Sequence, residues 1–173
     1  MTSSYPLKYT TPVLQCAAML FAVIFSIQAE AAPPEGYNFL SYGEAITKAA
    51  KENKPVFLYL GRYGCSTCRK MHKEVFSDIE IQKRFNSHYI LAYVDTESGN
   101  RITLPNGERI TEMQFATRSR ILGTPTFIFK TQDETQLLNL AGFKSIEKMK
   151  QYDEYINGGH YKTTNFKAFK AAQ

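Results

Sequence analysis

The sequence predicts an α/β domain with a mixed central sheet of about four strands and helices on both faces. Three observations carry this. Two continuous apolar runs of strand length, "VFLYL" (56–60) and "YILAYVD" (89–95), have the pattern of strands buried on both faces. Amphipathic helical patterns lie before and between them, so the two strands form a βαβ unit with parallel pairing. Two further strands, in "GTPTFIFK" and "LLNLAGF", are joined by the short turn "TQDETQ" and read as an antiparallel hairpin.

Each element follows in order. Residues 32–40, "APPEGYNFL", read as an extended lead-in. Residues 41–53 read as a helix, with Ser41 as N-cap and Ala45, Ile46, Ala49 and Ala50 at helical spacing, stopped by Pro55. After strand 56–60 a helix runs from the cysteine segment to about Phe76, and Ser77-Asp78 opens a second short one. Residues 96–110 are polar and read as an insertion holding a hairpin around Asn106-Gly107. Long polar loops of this kind often carry recognition, and a solvated decoration is the alternative. A helix over 111–121 with Thr111 as cap precedes the third strand. A helix beginning at "SIEKMKQYDEYIN" ends at Gly158-Gly159, and the tail holds a last short helix.

The 173 residues are one domain's worth of chain, and 43% apolar content with 12 Phe and 11 Tyr can build a core. The net charge of +5 is spread among acidic residues, with no concentrated basic stripe, so a nucleic-acid partner is not indicated. Residues 1–31 read as a secretory signal peptide: Lys8, an apolar run from Val13 to Ile27, and Ala29-Glu30-Ala31 as the small-x-small cleavage pattern. The run is shorter than the roughly 20 residues of a membrane span. Cleavage after Ala31 would remove Cys16, leaving residues 32–173 with Cys65 and Cys68 alone.

The segment "GCSTC" holds that pair. Two thiols separated by two residues, between a buried strand and a helix, read as a redox-active dithiol. At a helix N-terminus the free N–H groups and the positive end of the dipole favour a thiolate, and Arg62, Arg69 and Lys70 add positive potential. Cys65 is then the nucleophile and Cys68 the resolving thiol. Haem attachment needs a histidine where Arg69 stands. A zinc site needs about four ligands, and His88 and His160 have no motif spacing to the pair. A purely structural bridge over so short a loop would stabilise little. His72, one turn after Cys68, reads as a solvated helix histidine. Two other classes stay open: a binding or chaperone module without turnover, and a metal carrier using Cys65, Cys68 and His72.

"KPVFLYLGRYGCSTCRKM", "YILAYVD" and "RILGTPTFIFK", followed by Gly142 and a final helix, together resemble the thioredoxin superfamily over roughly residues 38–157. The chain is similar in character to the periplasmic thioredoxin-like proteins: the thioredoxins of sulfur-oxidation clusters and the C-terminal domain of the disulfide transporter DsbD. The resemblance implies the thioredoxin fold and a thiol–disulfide oxidoreductase. It implies a cis Thr124-Pro125 bond facing Cys65, with Thr124 pairing its backbone to an extended substrate. No bound cofactor is implied, the redox group being the Cys65–Cys68 pair. The implied partners are protein thiols and disulfides and a membrane electron donor of the DsbD type, in the periplasm. The relatives are reductants, so reduction is expected, with dithiol oxidase or isomerase as the alternative direction. The sequence departs from thioredoxin at Tyr63-Gly64 before the first cysteine, at Ser66-Thr67 between the two, and at Tyr59. Tyr59 stands where thioredoxins carry a buried acid, so the acceptor of the Cys68 proton is open.

Overall fold

The computed structural model describes residues 32–172. The signal-peptide reading of residues 1–31, with Cys16, lies outside the described residues. Among the described residues, seven strands and six α-helices follow in order: β1 (Phe39–Leu40), α1 (Tyr42–Glu52), β2 (Val56–Gly61), α2 (Ser66–Met71), α3 (Ile79–His88), β3 (Ile90–Asp95), β4 (Arg101–Thr103), β5 (Arg109–Thr111), α4 (Glu112–Arg118), β6 (Thr126–Lys130), β7 (Gln136–Ala141), α5 (Ile146–Asn157) and α6 (Phe166–Ala171). A π-helical segment, His72–Phe76, continues α2, and a 3-10 turn, His160–Lys162, separates α5 from α6.

The central sheet has five strands in the order β1-β3-β2-β6-β7. β1 and β2 run parallel to β3, while β2–β6 and β6–β7 are antiparallel. The fifth strand comes from the lead-in, where Phe39 and Leu40 pair with Leu91 and Ala92. Two residues at a sheet edge show no alternation, which is why this segment reads only as extended chain. The polar 96–110 segment does form a hairpin, with Ile102 opposite Ile110, as a separate two-stranded sheet.

Alternation along the strands divides the core in two. Phe57, Tyr59, Leu91, Phe127 and Phe129 face a layer built by α2, α3, α5 and α6, through Met71, Phe76, Phe85, Met149 and Phe169. Val56, Leu58, Leu60, Ala92, Val94 and Ile128 face α1, α4 and the hairpin, through Ala45, Ile46, Ala49, Phe115 and Ile110. Every residue of β2 is buried, which explains its unbroken apolar run. The helix starts follow the capping residues. Glu44 accepts from the Ser41 N–H at 3.2 Å, and Asp78 accepts from the N–H groups of Glu80 and Ile81. Thr111 and Gln114 close a reciprocal box. Each such cap stabilises its helix by about 1 kcal/mol.

Candidate active site

β2 ends at Gly61 and the chain turns through Arg62-Tyr63-Gly64 to place Cys65 at the N-cap of α2. The buried strand fixes the entry point, and the helix fixes the direction of the free N–H groups. Cys65 and Cys68 are joined as a disulfide with their Cα atoms 5.2 Å apart. The Cys68 N–H donates to Cys65 Sγ at 3.0 Å, so the sulfur takes the capping role that a serine or aspartate oxygen usually plays. Both cysteines are nearly buried, at 6% and 5% exposure.

The second half of the site is the loop between α4 and β6. The Thr124-Pro125 peptide is cis. The Thr124 carbonyl oxygen lies 3.5 Å from Cys65 Sγ. The loop is anchored from two sides: the Thr126 hydroxyl donates to the Gly123 carbonyl at 2.7 Å, and the Gly142 N–H donates to the Pro125 carbonyl at 2.8 Å. Two large apolar side chains flank these segments in the open: Tyr63, 61% exposed, and Leu122, fully exposed.

Of Arg62, Arg69 and Lys70, the basic residues next to the pair in sequence, two carry acidic partners. Arg62 pairs with Glu97 at 3.3 Å. Lys70 pairs with Glu74 at 3.9 Å and lies over the Phe143 ring. Arg69 is exposed on α2.

Beneath the helix the structure corrects the reading of His72. It is not a solvated helix histidine: it is half-buried, and its Nε2 lies 3.0 Å from the Tyr59 hydroxyl. Desolvation holds the imidazole below the ordinary histidine value of 6.5. Burial pushes the Tyr59 phenol well above its ordinary value, so Tyr59 stays protonated, and it donates to Nε2 when the imidazole carries its proton on Nδ1. Tyr59 is 1% exposed and packs against Phe76, Tyr93 and Phe127. The sequence named both residues but not their pairing. The signal was there in their faces: Tyr59 alternates onto the side of β2 that α2 covers, and His72 lies one turn beyond the buried Cys68. Among the described residues, no group of three or more His, Cys, Asp or Glu is placed to hold a metal ion.

A CxxC disulfide at the start of the helix after a buried central strand, on a five-stranded mixed sheet, defines a protein suited to thiol–disulfide redox chemistry. The thioredoxin-like domain model matches residues 42–157, and the chain belongs to that family. It is similar to a thioredoxin-fold protein from Helicobacter pylori, with a TM-score of 0.60 and 21% identity over 66% of this chain and 75% of that one. It is also similar to the C-terminal domain of DsbD from Neisseria meningitidis, with a TM-score of 0.50 and 19% identity over 64% and 90% of the two chains. At these identities the likeness is one of fold. Among curated relatives, mouse spermatogenesis-associated protein 20 is 44% identical over 54 residues, which is 31% of this chain and 7% of that protein's length.

Proposed function

We propose that the protein is a thiol–disulfide oxidoreductase that reduces protein disulfides with the Cys65/Cys68 dithiol. The observation that carries this reading is the position of Cys65 Sγ, 3.0 Å from the Cys68 N–H and 3.5 Å from the Thr124 carbonyl. The N–H stabilises negative charge on that sulfur, and the Thr124 backbone offers a strand edge beside it. Cys65 as thiolate attacks one sulfur of a substrate disulfide, and the substrate's other sulfur leaves as thiolate. Cys68 then attacks Cys65, closing the protein disulfide and releasing the second substrate thiol. Two electrons pass from the protein dithiol to the substrate, and the dithiol itself is the redox group.

The signal-peptide pattern and the likeness to the DsbD domain support a periplasmic setting, with a membrane electron donor of the DsbD type restoring the dithiol. Residues 32–173 are then the mature domain, and the 96–110 hairpin is its insertion for partner choice. Equilibration with glutathione tests the direction. A reductase is expected near the thioredoxin potential of about −270 mV, and a value near −120 mV would make it an oxidant.

A further inference from the structure

For Cys68 to resolve a mixed disulfide it must lose its thiol proton, and it does so from a site 5% exposed. The buried carboxylate of the domain, Asp153, is committed elsewhere, to Arg84, His88 and Tyr89. The groups beneath α2 are different. Tyr59 and Tyr93 are direct neighbours on β2 and β3, with ring centroids 5.3 Å apart. Their hydroxyls converge over Gly61, where an added Cβ would stand 3.1 Å from each. The Tyr59 hydroxyl reaches His72 Nε2 at 3.0 Å. His72 follows Cys68 by four residues, so the two share a helix face about one turn apart. Tyr59 is buried and His72 half-exposed, so the pair runs from the core beneath α2 toward solvent, on the helix side that Cys68 shares.

We propose that Cys68 passes its proton through the Tyr59 hydroxyl to His72 Nε2 as it attacks the mixed disulfide; this rests on the dithiol function above. The Cys68 S–H bond breaks and its proton goes to Tyr59 Oη, which hands its own proton to Nε2. Imidazole becomes imidazolium. The Cys68 electron pair forms the Cys65–Cys68 bond, the bond from Cys65 to the substrate sulfur breaks, and its pair leaves on that sulfur. When the disulfide is reopened by a donor thiolate, the imidazolium returns the proton by the same path. The starting states this needs are a protonated phenol and a neutral imidazole whose proton sits on Nδ1, leaving Nε2 to accept. The titratable group facing His72 is Tyr59 from β2, with Tyr93 of β3 behind it near Asp95 and Glu112; Arg69 and Lys73 are the charged residues nearest it along its own segment.

The test is stopped-flow reaction of the reduced protein with dithiobis-nitrobenzoate. The first thionitrobenzoate released reports Cys65, and the second reports resolution by Cys68. His72→Gln keeps an acceptor for Tyr59 but takes no proton. Tyr59→Phe keeps the ring and removes the hydroxyl. Each is expected to slow the second release about tenfold or more at neutral pH, in the range of general acid–base effects. Each should also move its pH midpoint up toward that of an unaided thiol, about 8.5. The double variant should be no slower than the slower single one, as for groups acting as a unit. A second release with wild-type rate and pH profile in both variants overturns the relay alone. Absence of the first release overturns the dithiol function, and the relay with it.

Discussion

The Tyr59 hydroxyl lies 3.0 Å from His72 Nε2, joining the central strand to the helix that carries the cysteines. Burial lowers the His72 value below 6.5, so folding favours neutral imidazole. The unfolded chain then binds more protons in the window just under 6.5. Stability is fully present above that value and falls as pH drops through the window to the folded-state value. Urea unfolding at about pH 7.5 and about pH 5 should show this loss in the wild type, and His72→Gln should reduce it. An equal loss in both proteins would assign the pH dependence to other groups.

Asp153 is 1% exposed and ties α3 to α5. It receives Arg84 at 3.2 Å and the Tyr89 hydroxyl at 2.9 Å, with His88 Nδ1 at 2.8 Å. Asp153→Asn keeps the shape and removes the charge that holds three donors. Unfolding in urea should show a loss of about 1–3 kcal/mol, the range for a buried hydrogen-bonding group left badly partnered. A change within about 0.5 kcal/mol, as at an ordinary surface site, would contradict the role given to this cluster.

Gly43 opens α1 directly under the hairpin, and a Cβ there would overlap the Thr103 carbonyl oxygen. The obstacle is backbone, so it cannot be relieved by turning a side chain. Gly43→Ala is expected to displace β4–β5 and to cost about 1–3 kcal/mol by overpacking, despite alanine's better helix propensity. Faster amide exchange in Arg101–Thr103 would locate the damage; unchanged exchange there would contradict the contact.

Leu122 is fully exposed beside the Thr124-Pro125 loop, with no packing to lose. An apolar side chain so placed is suited to a protein substrate. Leu122→Ser should leave stability within about 0.5 kcal/mol. It should raise KM for a protein disulfide several-fold with little change in kcat, the signature of lost uniform binding. A fall in kcat at constant KM would argue that Leu122 acts on the chemistry instead.

Much of the fold was legible because local signals agreed. The unbroken apolar runs of β2 and β3, the caps at Ser41, Asp78 and Thr111, and the "GCSTC" and "GTPTFIF" segments each specify a conformation from nearby residues. β1 was missed because a two-residue edge strand is defined by its partner, β3, rather than by its own pattern. The 111–121 helix was read too long: it ends at Arg118, and Arg120 takes a left-handed conformation that local propensity does not anticipate. The site divides in the same way. The motifs pointed to the cysteines and to Thr124, which the fold brings within 3.5 Å of Cys65 Sγ, whereas the Tyr59–His72 pair depends on β2 and the segment after α2 presenting facing sides, a tertiary relation no single segment records.

The most direct measurement is the rate at which iodoacetamide alkylates each cysteine of the reduced protein as pH is varied, with the modified residue located by peptide mapping. Cys65 is expected to react first, and to do so below the pH at which an ordinary thiol ionises, about 8.5. Preferential alkylation of Cys68, or equal and slow modification of both cysteines, would contradict the assignment of Cys65 as the attacking thiol.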